Sequence, residues 1–333
     1  MTLSNTSDNP YRVGLLLIDD FALLSYASVT EPLRVANLLS GQALYEIIPI
    51  SVAAATVSSS GGVQAPCHYQ LENHRSNSGL TVDLLIVIAA GDPFTFHNTN
   101  TLRWLNALSR RGIPIGGVSG GPVILALAGI MAGYRMTLHW EHAAALRLRH
   151  ADLLIERSLY VIDRDRLTCA GGTAPLDLMH AILMRQQGAA LARDVSDWLQ
   201  HTDVRPAGGQ QRAGIVERYQ IHQGSLLTSI ELMESHLADP LDLKSLARIA
   251  GVGERQLTRL FNEHLGSSPM AFYQGLRLQR AQVLLRQSAL GVTEIAHAVG
   301  FTNAAHFTTR YRAHFGLAPR EERKTKPGNE HQV

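Results

Sequence analysis

Residues Gly117-Val118-Ser119-Gly120-Gly121 match G-x-S-x-G, the pattern of a strained strand-to-helix turn that lifts a hydroxyl above the edge of a sheet. A serine there becomes a nucleophile only when a base takes its proton and a third group holds that base. His139 as base, with Glu141 or Asp177 as acid, would complete a serine hydrolase. If residues 139 and 141 share an extended segment, however, they point to opposite faces and pair poorly. No HGGG-type oxyanion loop precedes the elbow. The same turn can bind without reacting. Gly120 and Gly121 would offer backbone N–H groups at a helix start, which favours a carboxylate. Trp140 and Glu31 could then hold an ammonium group, the ring through cation–π attraction and the carboxylate through charge. Plainer roles compete: Ser119 as a helix cap, His139 and Trp140 as core residues, and Glu31 as a helix start before Pro32.

The elements that must position these residues alternate through the first 200 residues. Residues 13–19, 45–52, 81–90 and 113–118 are short and apolar on both faces, as parallel strands covered by helices must be. Between them lie the helical patterns 30–41, 100–112 and 121–133, each closed by glycine. The spacing predicts a doubly wound, flavodoxin-like α/β domain over residues 11–200. Residues 201–223 lose apolar periodicity and carry Pro206, Gly208 and Gly209, which predicts a linker. Residues 224–323 are helical in pattern throughout and predict a separate all-α domain.

The 333 residues are 45% hydrophobic and 17% charged, a globular composition that excludes disorder. Residues 113–132 carry no charge, but Pro114, Gly116, Gly117, Gly120, Gly121 and Pro122 interrupt the run, so no membrane span is expected. The polar N-terminus lacks the pattern of a signal peptide, and Cys67 and Cys169 are too few for a disulfide framework. No Cys/His cluster has zinc spacing, so no metal or cofactor is expected, and a reducing cytoplasm fits. Residues 1–223 hold 17 Lys+Arg against 18 Asp+Glu, whereas residues 224–326 hold 13 against 9. A polyanionic partner is therefore expected for the C-terminal part alone.

That part contains an internal echo: Leu246-Ala247-x-x-x-Gly251 recurs 49 residues later as Ile295-Ala296-x-x-x-Gly300. In a helix-turn-helix the small alanine admits the crossing helix, and the glycine takes the left-handed turn. Asp242 would cap the first helix, and ERQLTRLFNEHLG would be a recognition helix with Leu257, Leu260 and Phe261 inside. Arg255, Gln256, Thr258 and Arg259 then share its outer faces, where arginine and glutamine can pair with base edges.

The segment VTEIAHAVGFTNAAHFTTRYRAHFGLAPRE is similar to the C-terminal signature of AraC/XylS transcription factors, with Ala305 where that family usually has serine. The resemblance covers residues 220–323 and implies two helix-turn-helix units joined by a long helix that starts at Pro269. It implies base contacts from Arg255, Gln256, Arg259, Thr302 and Asn303, with His306 beside them, and phosphate contacts from Arg277, Arg310 and Arg312. The front part resembles the class I glutamine amidotransferase-like (PfpI-like) domains fused to such tails, the GlxA family. The carrying segments are VGLLLIDDFALLSYASVTEPLRVAN, GGVSGGPVILALAGIMAG, MTLHWE and TCAGGTAPLDLMHAI. Enzymes of that superfamily place cysteine on the elbow, and serine here argues against inherited catalysis. The resemblance implies a non-enzymatic regulator, an activator that acts on operator DNA and RNA polymerase as a homodimer. Its small-molecule effector would be of the arginine, carnitine or betaine class. A ligand-free dimerisation domain is a further alternative.

Overall fold

The computed structural model describes residues 9–73, 80–211, 214–288 and 290–323. The first eight residues of the polar N-terminus, on which part of the signal-peptide reading rests, lie outside them. The chain divides after Gln211 into two compact units.

The first unit is built on a seven-stranded sheet. Its strands are β1 (Tyr11–Leu17), β2 (Tyr45–Ser51), β5 (Tyr69–Gln70), β6 (Leu84–Ala89), β7 (Ile115–Ser119), β10 (Tyr160–Asp163) and β11 (Arg166–Cys169). Their order is β10-β11-β7-β6-β1-β2-β5, with β10 antiparallel to β11 and the other pairs parallel. Strand β6 is buried along its whole length, as a central parallel strand must be. Two small pairs lie outside the sheet, β3 (Thr56–Ser58) with β4 (Gln64–Pro66) and β8 (Arg135–Met136) with β9 (Leu154–Ile155). The helices are α1 (Leu23–Ser40), α2 (Thr99–Arg110), α3 (Gly121–Leu127), α4 (Trp140–Arg149), α5 (Ala174–Gln187) and α6 (Ala189–Trp198). This is the expected flavodoxin-like class.

Helix α1 begins seven residues before the expected position and carries Pro32 in its interior. Its buried face includes Ser25 and Ser28 beside Val29, Pro32, Leu33 and Ala36, so small serines occupy core positions and conceal the periodicity. Residues 201–211 do not form a loose linker. The carboxylate of Asp177, fully buried near the start of α5, accepts from His201 Nε2 at 2.8 Å and from Arg205 Nε and Nη2 at 3.0 and 2.7 Å. Ala207 O accepts from Leu159 N at 2.9 Å, and Gln211 donates into the segment around Thr137.

The second unit contains α7 (Ile215–Tyr219), α8 (Gly224–Ser235), α9 (Leu243–Ile249), α10 (Glu254–Leu265), α11 (Pro269–Gln287), α12 (Val292–Ala298), α13 (Ala304–Phe315) and α14 (Pro319–Glu322). Asp242 caps α9 by accepting from Ser245 N at 2.8 Å, and Pro269 opens α11 at a position where its missing N–H costs nothing. Gly251 and Gly300 adopt φ of 71° and 77° between the paired helices. At Gly300 a Cβ would also lie 2.8 Å from Leu237 O, so only glycine fits. Leu257, Leu260 and Phe261 are buried as expected. Among the described residues, no helix is long and apolar enough to cross a membrane.

Candidate functional site

Ser119 ends β7 with φ 59°, a left-handed conformation that a non-glycine residue holds only under constraint. The constraint comes from glycines that let backbone meet backbone. A Cβ at Gly117 would lie 2.6 Å from Pro122 N, one at Gly121 2.0 Å from Val87 O, and one at Gly171 2.6 Å from Ser119 Cβ. The elbow is therefore clamped between β6, the start of α3 and the Gly171-Gly172 turn after β11. Ser119 is 6% exposed, and its hydroxyl makes no hydrogen bond among the described residues.

His139 N donates to Ser119 O at 3.2 Å, which ties the next segment to the elbow. His139 is the cap residue of α4, so residues 139 and 141 do not share an extended strand. The turn into the helix brings His139 Nδ1 to 3.8 Å from Glu141 Oε2 and overturns the expectation of opposite faces. Burial pushes the imidazole pKa down, against the opposing pull of Glu141, so His139 is neutral at pH 7. Asp177 cannot serve as the acid for His139, because His201 and Arg205 occupy it. The half-buried rings of His139 and Trp140 lie 5.4 Å apart, and His142 stands behind them against Phe94.

A depressed histidine pKa makes the first unit less stable in acid. Below about pH 6.5 the unfolded chain binds the proton first, so stability falls as pH drops from there toward the folded value. His180, lowered mainly by burial, adds to the same slope. We expect His139→Gln to flatten the decline in Tm between pH 7 and 5. An unchanged slope in calorimetry would show that His139 is not held neutral.

Two of the expected ligand contacts are spent within the fold. Gly120 N donates to Ala89 O at 2.9 Å, which leaves Gly121 as the only glycine of the pair with an amide to offer. Glu31 Oε2 accepts from Arg34 Nε and Nη2 at 2.9 and 2.7 Å, so that carboxylate is already neutralised along its own helix. Among the described residues, no group of three or more His, Cys, Asp or Glu side chains could hold a metal ion.

In the second unit, Arg255, Gln256 and Arg259 stand exposed on α10, with Arg259 3.3 Å from Glu263. Thr258 donates back to Glu254 O. Thr302, His306, Arg310 and Arg312 are exposed at and along α13, and Arg310 Nε donates to His306 Nε2. Two residues expected to contact DNA are also engaged within the fold. Asn303 Oδ1 caps α13 by accepting from Ala305 N and His306 N, so that atom is unavailable to a base. Arg277 turns inward, donating to Val299 O at 2.7 Å and lying 4.2 Å over the Phe301 ring, which makes it a structural clasp between α11 and α12.

An α/β unit with a serine elbow, followed by two helix-turn-helix units with basic outer faces, defines a DNA-binding regulator. Residues 12–185 match the DJ-1/PfpI family, and residues 246–325 match a helix-turn-helix domain. The chain is 42% identical over 320 residues to the HTH-type transcriptional regulator GlxA of Rhizobium meliloti, covering 96% of this chain and 97% of that one. It is 36% identical over 319 residues to the HTH-type transcriptional regulator GbdR of Pseudomonas aeruginosa, covering 96% and 86%. A crystal structure of an AraC family transcriptional regulator from Pseudomonas putida matches with TM-score 0.51 and 30% identity, over 57% of this chain and 100% of that one. The chain belongs to the GlxA-like family of AraC-class transcriptional regulators, in which a DJ-1/PfpI domain precedes the helix-turn-helix domain.

Proposed function

We propose that the first unit senses a small zwitterionic amine of the arginine, carnitine or betaine class and that the second unit answers as an activator on operator DNA. The observation that carries this reading is the serine elbow at the head of a site rimmed by a neutral imidazole and an indole. The elbow supplies the Ser119 hydroxyl and the Gly121 amide for a carboxylate. The Trp140 ring and the Glu141 carboxylate receive the ammonium group, in place of Glu31. A cytoplasmic homodimer, reading a repeated or inverted operator and recruiting RNA polymerase, completes the proposal. Base contacts are assigned to Arg255, Gln256, Arg259 and Thr302, with Thr258 beside them, and phosphate contacts to Arg310 and Arg312 with His306.

The His139–Glu141 approach and the intact elbow favour hydrolysis as a second reading. Proton NMR of a panel of arginine, carnitine and glycine betaine, with and without the protein, separates the two. Sensing predicts broadened lines of one compound and no new peaks. It also predicts that Trp140→Ala weakens binding about ten-fold, from a cation–π term of about 1–2 kcal/mol. New peaks that vanish in Ser119→Ala would make the protein an enzyme, and no broadening by any compound would remove this ligand class.

A further inference from the structure

The last residues of the first unit form a strap that runs past α5 and returns to the elbow site. Its two ends are held differently. At one end Asp177 accepts from His201 Nε2, the Arg205 amide, Arg205 Nε and Arg205 Nη2, so a fully buried carboxylate has both oxygens satisfied. At the other end Gln211 Nε2 lies 3.0 Å from Thr137 Oγ1, 3.1 Å from Leu138 O and 2.7 Å from Ser158 O. Two N–H groups thus serve three acceptors. Gln211 Oε1 is buried with no partner among the described residues. Rotating the amide would aim its oxygen at two carbonyls, so the orientation is determined by its surroundings.

An amide that is over-shared on its nitrogen and orphaned on its oxygen is poised to leave. Opening costs its donated bonds but returns the carbonyl to water, which offsets much of the loss. Two of the three acceptors, Thr137 Oγ1 and Leu138 O, lie just before His139, whose amide in turn holds Ser119 O; the third, Ser158 O, lies just before β10 and itself accepts from Thr137 Oγ1. Three residues therefore connect the elbow to the point where the chain leaves the first unit. We propose that Gln211 is a positioning residue and the releasable end of this strap. An occupant of the elbow that displaces Thr137–His139 removes two of the three acceptors and leaves Gln211 on Ser158 O alone, which loosens this end while the Asp177–Arg205 end stays fixed. The strap then gives the chain extra free length after the first unit, which is how occupancy reaches the DNA-binding unit. This device rests on the reading of the elbow as a sensor site.

Coupling is reciprocal, so the device can be tested from its far end with no ligand present. Amide hydrogen exchange, resolved to single residues, would be recorded on the full chain for wild type, Gln211→Ala and Gln211→Glu. In both variants we expect about ten-fold faster exchange at Gly209 on the strap, at Leu159, whose amide donates to Ala207 O of the strap, and also at His139 across the site. The Arg205 amide and the core amides of β1 and β6 should be unchanged. Acceleration confined to the strap would refute the coupling, and unchanged strap amides would refute the latch. Acceleration extending to β1 and β6 would reduce Gln211 to a general structural contact and overturn the proposal. A Gln211→Glu variant that exchanges like wild type would overturn the donor role of Nε2. Failure of the amine panel would remove the proposed ligand without altering these ligand-free rates, so the two readings fail separately.

Discussion

Gly121→Ala is expected to abolish folding of the first unit. Its Cβ would be placed 2.0 Å from Val87 O, a backbone atom of a buried central strand that cannot step aside. A flexible side chain could rotate away from such an overlap, but here either β6 or the start of α3 must move. Overpacking a rigid site typically costs about 1–3 kcal/mol, and a backbone clash this deep belongs at or above the upper end. That is a large share of the roughly 5–15 kcal/mol by which a domain is stable. The expected outcome is insoluble protein, or loss of the calorimetric transition of the first unit while that of the second persists. A variant that unfolds within about 1 kcal/mol of wild type would show that β6 and the elbow are not in the close contact described. Gly172→Ala provides the contrast, because nothing lies within 4 Å of its Cβ position and only its φ of 60° opposes the change.

The elbow and the two helix-turn-helix turns were legible in the sequence because glycine marks where backbone must approach backbone or turn left-handed. Such positions leave local signatures. Other parts of the site were settled by contacts that no local spacing encodes. The strap from 201 to 211 lacks apolar periodicity, and polar bonds to Asp177, 28 residues before Arg205, hold it instead. The His139–Glu141 approach was missed because the start of α4 has no side-chain cap to announce it. Two contacts within the second unit did have a signal. Arg277 lies four residues after Tyr273 and four before Ala281, both buried, so helical spacing already put it on the inner face of α11. Asn303 stands just before a helix, where its side chain is better used as a cap than for reading a base.

Glu322→Ala should destabilise the second helix-turn-helix by about 2–3 kcal/mol. This carboxylate is 2% exposed, yet α14, which carries it, is only four residues long. Tyr311 donates its hydroxyl to Glu322 Oε2 at 2.8 Å, Arg286 Nε donates to Oε1 at 2.6 Å, and Gln282 Nε2 donates at 3.2 Å. One side chain thus gathers α11, α13 and α14. Burial pushes its pKa up, but the hydrogen bonds and the guanidinium together outweigh that and hold it below the usual value. With the folded pKa depressed, its contribution to stability is present above the unfolded pKa of about 4.3 and is lost as pH falls through the folded value. Truncation leaves the Tyr311 hydroxyl buried without its acceptor, whereas Arg286 is 52% exposed and regains water. The expected cost is therefore about 2–3 kcal/mol, below that of stranding a buried charge. In calorimetry the transition of the second unit should move down by several degrees and lose part of its dependence on pH below 4.5, the share of Asp242 remaining, with the first unit unaffected. Operator binding should fall with it, because α13 loses the contact that holds its C-terminal half against α14. If Glu322→Ala instead kept wild-type stability and footprint, the buried carboxylate would not be what orders the second recognition helix. Glu322→Gln should fall between the two, since an amide can still accept from Tyr311 but offers no charge to Arg286.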